Sequence, residues 1–117
     1  MGYPVDFEKG ELNRGNWKRI KECMKKAEAG EPIKVGFLGG SITQGSLSST
    51  PETCYAYLVY KWWKEKFPQS QVEYINAGIG GTTSQFGVSR VEQHLLHKKP
   101  DFILIEFAVN DDNNEFF

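Results

Sequence analysis

The sequence predicts an α/β fold of the doubly wound kind, a parallel sheet with helices on both faces. Three observations lead there. Short apolar runs alternate with segments of helical period, in the order helix, strand, helix, strand, helix, strand, and such alternation produces right-handed crossovers between parallel strands. Residues 33–38 and 102–107 are nearly continuous apolar runs, as parallel strands covered on both faces should be. At 117 residues the chain fits one domain, with enough apolar side chains for a real core.

Each element has a local reason. Residues 1–12 are mixed and read as irregular. Asn13 or Asn16 caps a helix that runs to about Ala29, with Trp17, Ile20, Met24 and Ala27 at helical spacing. Gly30-Glu31-Pro32 ends it, and residues 33–38 form the first strand. Residues 39–50 are rich in Gly, Ser and Thr and read as loop. Thr50-Pro51-Glu52 reads as a helix start, with a hydroxyl cap, proline in the first turn and then an acid. That helix carries two adjacent rows: Cys54, Leu58 and Trp62, then Tyr55, Val59 and Trp63. The Trp62-Trp63 pair is read as core filling against the sheet. The helix stops near Phe67-Pro68. Residues 72–76 form the second strand, and 77–84 a second glycine-rich loop. Residues 85–98 read as a helix with Phe86, Val88, Val91, Leu95 and Leu96. Lys99-Pro100 breaks it before the third strand, 102–107. The polar run 110–115 lacks the glycine and the spacing of a calcium-binding EF-hand loop.

Composition narrows the function. The net charge is −1, with no basic excess, which argues against nucleic acid as a main partner. No apolar stretch approaches the roughly 20 residues of a membrane span. The N-terminal residues show neither a basic n-region nor an apolar h-region, so no signal peptide is read. The compartment is left open: cytoplasmic by default, secreted where a signal has been removed. Cys23 and Cys54 form no CxxC and no metal spacing and read as ordinary helix cysteines.

In a parallel sheet the loops after all three strands lie on one edge, where ligands of such folds bind. Those loops hold Gly39-Gly40-Ser41, residues 78–84, and residues 108–111. Two chemistries compete for this edge. A phosphate site needs G-x-x-x-x-G-K-[ST]; Gly40 and Gly45 have the spacing, but Ser46-Leu47 follows and no lysine. Gly78-Ile79-Gly80-Gly81-Thr82-Thr83 partly matches a dinucleotide fingerprint, with Glu106 placed for a ribose, so a nucleotide-binding module stays in view. A nucleophilic serine needs a tight turn after a strand, glycines that let the substrate approach, and donors for the developing oxyanion. Ser41 has that turn, with a Gly81 N–H and an Asn110 amide at the same edge. The G-x-S-x-G elbow is absent, because Thr43 stands in place of its second glycine.

These residues resemble a known family. Gly39-Gly40-Ser41-Ile42-Thr43 resembles the first block of the SGNH (GDSL-type) hydrolases, in its GGSIT form. Residues 76–84, NAGIGGTTS, are similar to the second block, and residues 106–111, EFAVND, to the third. The resemblance implies a flavodoxin-like three-layer α/β/α sandwich, here with about three strands. It implies a serine ester hydrolase with an acyl-enzyme at Ser41. The oxyanion would be held by the N–H groups of Ser41 and Gly81 and by the Asn110 amide. It implies no metal and no organic cofactor, and a small-molecule or carbohydrate ester as substrate, an O-acetyl sugar first. Gly40 stands where many members carry Asp, and Ala108 replaces a glycine of the third block.

The family's last block, D-x-x-H, has no counterpart here. The resemblance therefore implies that residues 1–117 are the N-terminal part of a single hydrolase domain, a helical extension 1–30 and a sheet core 31–117. Its catalytic Asp and His would lie beyond residue 117. His94 and His97 sit at the C-terminal end of a helix antiparallel to the strands. That places them near the amino edge, roughly 20 Å from Ser41 by strand length. A chain that stops after its third strand leaves 102–107 as an open apolar edge, which predicts self-association through it. Without a base, this chain alone is also readable as a non-catalytic fragment.

Overall fold

The computed structural model describes residues 4–111; Met1 to Tyr3 and the rest of the polar run from Asp112 on lie outside the described residues. The chain order is α1 (Lys18–Glu28), β1 (Ile33–Gly39), α2 (Ser41–Gln44), α3 (Tyr55–Lys66), β2 (Val72–Gly78), α4 (Ser84–His94) and β3 (Phe102–Glu106), with short 3-10 turns at Phe7–Gly10, Pro51–Thr53 and Leu96–Lys98.

The three strands are parallel in the order β2-β1-β3. Their register sets Gly39 beside both Gly78 and Glu106, so all three following loops leave the sheet at one level. Odd residues of β1, Ile33, Val35 and Phe37, pack under α1 and α3 with Cys23, Ala27, Ala56, Trp63 and Phe67. On the other face Leu38, Ile75 and Ala77 meet Leu95 and Phe107. Helices thus cover both faces, the three-layer arrangement expected. Fully burying a side chain such as Phe37 stabilises by about 1.5–3 kcal/mol. Burial, with Asp101 nearby, pushes the Cys23 thiol up to about 11; both cysteines are buried and free.

Five local expectations are corrected. Residues 41–44 are not loop but one helical turn, closed by the Gln44 N–H to Gly40 carbonyl bond at 3.0 Å and ended by Gly45 at φ +106°. Residues 50–53 form a 3-10 turn with a reciprocal Thr50/Thr53 capping box; the chain then extends at Cys54 and α3 begins afresh at Tyr55. Within α3 the row Tyr55, Val59, Trp63 faces the core, whereas Leu58 and Trp62 are half exposed. The predicted helix 85–98 breaks at Leu95, and its buried face is Gly87, Arg90 and Leu95; Phe86 and Val88 point outward. Gly87 makes this possible, since a Cβ there would come within 2.8 Å of the Phe107 ring. Lastly, β3 is covered on one face only among the described residues: Phe102 and Leu104 pack inward, but Ile105 is 62% exposed.

Candidate active site

Ser41 opens α2 immediately beyond β1. It is half-buried, and its Oγ has no hydrogen-bond partner among the described residues. The turn is braced from below. Thr43 is fully buried, its hydroxyl 2.6 Å from the Tyr55 hydroxyl, and its carbonyl accepts a bond from Asn76 Nδ2 at 2.8 Å. Asn76 also donates to the Tyr74 hydroxyl and accepts from the Gly78 N–H, each at 2.8 Å. Burial raises the Tyr55 phenol and pushes that of Tyr74 up to about 12, so both stay neutral.

The glycines of this edge are dictated by contact. A Cβ on Gly39 would run into Thr43 Oγ1 and come 2.5 Å from the Glu106 carbonyl; one on Gly78 would strike the Gln44 backbone. A Cβ on Gly40 would lie 2.6 Å from Asn110 Nδ2, so the Asn110 amide rests on the residue preceding Ser41. A Cβ on Gly80 would stand 3.6 Å from Ser41 Cβ. Gly81 has φ +74° and open space around it. The structure therefore brings Ser41, the Gly80-Gly81 turn and Asn110 together, from the loops after β1, β2 and β3.

Further bonds fix the three loops to one another. The Ile79 N–H donates to the Gly39 carbonyl at 3.1 Å. The Gly80 N–H donates to Gln44 Oε1 at 2.8 Å. Asn110 Nδ2 donates to the Thr82 carbonyl at 2.8 Å, leaving the second hydrogen of the same amide free of that bond. Asp111 Oδ1 accepts the Ser84 N–H at 2.8 Å and so caps α4. This carboxylate stands where a dinucleotide fold would place a pyrophosphate, at the N-terminus of the helix after β2, and it disfavours the nucleotide reading.

Sequence reasoning missed Arg90. It is 4% exposed, and its guanidinium donates to the Ala77 carbonyl at 2.6 Å and the Gly39 carbonyl at 3.1 Å, clamping the ends of β2 and β1. Desolvation lowers its pKa. A cation on a helix normally reads as solvated, and its burial depends on strand ends distant in sequence. Gln44, an exposed neutral amide, was missed because its partner, the Gly80 N–H, is distant in sequence.

His94 is the last residue of α4. It borders a groove of about 300 Å³ with residues 76–79, its Nδ1 3.5 Å from Arg90 Nη1. Neither His94 nor His97 bonds to Ser41. Among the described residues no three His, Cys, Asp or Glu side chains gather as a metal site, and no helix is long and apolar enough to cross a membrane.

The family profile described as "GDSL-like Lipase/Acylhydrolase family" matches residues 37–116. The chain belongs to this family. The match takes in all three loops. Thioesterase 1/protease 1/lysophospholipase L1 of Escherichia coli K12 is 35% identical over 74 residues, 63% of this chain and 33% of that protein. The chain thus spans about a third of the curated relative's length. Among solved structures, a two-domain esterase active on acetylated mannans, crystallised with mannopentaose, is 62% identical with a TM-score of 0.93, over 97% of this chain and 31% of its own. A lipase/acylhydrolase from Enterococcus faecalis is 30% identical with a TM-score of 0.52, over 70% of this chain and 43% of its own.

Proposed function

We propose that this chain carries the nucleophile and oxyanion site of a serine ester hydrolase that removes acetyl groups from carbohydrate, with a mannan-type glycan as substrate. The observation that carries the reading is the meeting of Ser41, the Gly80-Gly81 turn and the Asn110 amide at one sheet edge, inside the span of the family match. The similarity to an esterase active on acetylated mannans supports the substrate class.

Ser41 Oγ attacks the ester carbonyl, its proton passing to a histidine supplied from beyond residue 117. The carbonyl oxygen becomes an oxyanion held by the N–H groups of Ser41 and Gly81 and by Asn110 Nδ2. Collapse expels the sugar hydroxyl, which takes the proton back from the histidine, and leaves an acetyl ester on Ser41. Water repeats the sequence and releases acetate. Residues 1–117 are then the N-terminal part of one domain, 1–30 an extension and 31–117 the sheet core. The edge of β3 left open among the described residues pairs with a further strand or with a second copy; a monomer mass by light scattering would remove the second copy.

The test is acetate release from acetylated mannan by the complete protein. Asn110→Ala should lower kcat by about 10²–10³, the usual effect of losing one oxyanion donor. An unchanged rate takes Asn110 out of the mechanism; no acetate release from the parent takes away the substrate assignment.

A further inference from the structure

We propose that Gln44 is a positioning residue for the oxyanion site, the side chain on the nucleophile's own turn that sets the peptide planes of the donor loop. The proposal rests on the reading of Ser41 and Gly81 given above. Gln44 lies three residues after Ser41, so both project on one side of α2. Its Oε1 accepts the Gly80 N–H at 2.8 Å, fixing the peptide adjoining the one that bears the Gly81 N–H. Gly80 is wedged between the two residues: a Cβ there would stand 3.0 Å from Gln44 Oε1 and 3.6 Å from Ser41 Cβ.

From the far side the loop is held by Thr82, whose hydroxyl donates to the Ile79 carbonyl at 2.6 Å and whose own carbonyl receives the Asn110 amide. Gly81 itself has φ +74° and open space where a Cβ would stand, so no side-chain packing sets its peptide. A glycine peptide with that freedom rotates unless its neighbour is pinned. Gln44 pins the neighbour. The side chain is exposed and holds up no core, so its bond serves geometry more than stability. An oxyanion donor works only when aimed beforehand at the place where charge develops, and small misplacements are expensive in rate.

The experiment uses the complete protein and Gln44→Met, which keeps the length of the side chain and removes the acceptor. The parent is first shown to release acetate and to lose that activity in Ser41→Ala; a parent that fails there overturns the reading of the site and this proposal with it. For Gln44→Met the expected result is a kcat lower by about tenfold, less than for outright loss of a donor. KM and Tm should stay unchanged, and the affinity for an alkylboronate, which mimics the tetrahedral intermediate, should fall by the same factor. Gln44→Glu keeps an acceptor for the Gly80 N–H and should retain more boronate affinity than Gln44→Met. A kcat within twofold of the parent overturns the proposal. So does a fall in Tm with boronate affinity unchanged, which would mark Gln44 as merely structural.

Discussion

At the amino edge of the sheet the chain is tied by long, solvated side chains, whereas at the carboxyl edge glycine backbone packs closely against neighbouring loops and their short polar side chains. Asp101 accepts from Lys26 Nζ and from the Lys34 N–H, both at 2.8 Å, and Lys34 Nζ donates to the Lys98 carbonyl at 2.9 Å, all in exposed positions. Water can replace any of these partners. At the other end Gly39, Gly40, Gly78 and Gly80 each lie where a methyl group would press on a neighbouring loop. The same three strands thus end in one edge that tolerates change and one that does not. Only the second brings together Ser41 and the candidate donors of the proposed site.

Substitutions should break or sharpen this contrast. The largest effect is expected from Gly39→Ala, whose Cβ has a buried hydroxyl and a β3 carbonyl in its way. Overpacking of this kind should lower stability by about 3 kcal/mol in urea unfolding. A loss below 1 kcal/mol would mean that the loops give way easily and that the edge is not rigid. Arg90→Met comes next. It removes the guanidinium donors from the Ala77 and Gly39 carbonyls, the second of which keeps the Ile79 N–H, and should cost about 1.5–3 kcal/mol. A variant as stable as the parent would show that burying the guanidinium costs as much as its two bonds contribute.

Gly81→Ala separates strain from space. Nothing crowds that Cβ, so only the positive φ counts, about 1 kcal/mol. The smallest effect belongs to the amino edge. Lys26→Met removes an exposed ion pair and should cost under about 1 kcal/mol. Its pH dependence has a definite sign. The hydrogen bond to Asp101 raises the Lys26 pKa above its ordinary value of 10.5. The pair's contribution is therefore full below that value and fades as pH rises through the folded-state pKa. On the alkaline side, stability curves of parent and variant should converge only as pH rises through that raised pKa.

The contrast also explains what was legible in the sequence. β1 reads correctly because helices cover both its faces, so its run is apolar but for Lys34 near its start. β3 has the same run, yet Ile103 and Ile105 lie open among the described residues; composition records what a strand expects to meet, not what covers it. In α4, Phe86 and Val88 suggested the buried face, but the close approach of Phe107 over Gly87 turned the helix the other way. The candidate site was legible as three glycine- and Asn-bearing loops after three strands, because parallel topology alone sends them to one edge. Arg90 and Gln44 were not legible. Their roles depend on carbonyl and N–H groups tens of residues away, and no local pattern marks a polar side chain for that use.

The most direct test of the whole account is to treat the complete protein with a fluorophosphonate, record its intact mass and map the modified peptide. The account predicts one adduct, on Ser41, absent in Ser41→Ala and slowed in Asn110→Ala. A protein left unmodified, or modified at another serine, would contradict the claim that the turn after β1 presents an activated nucleophile.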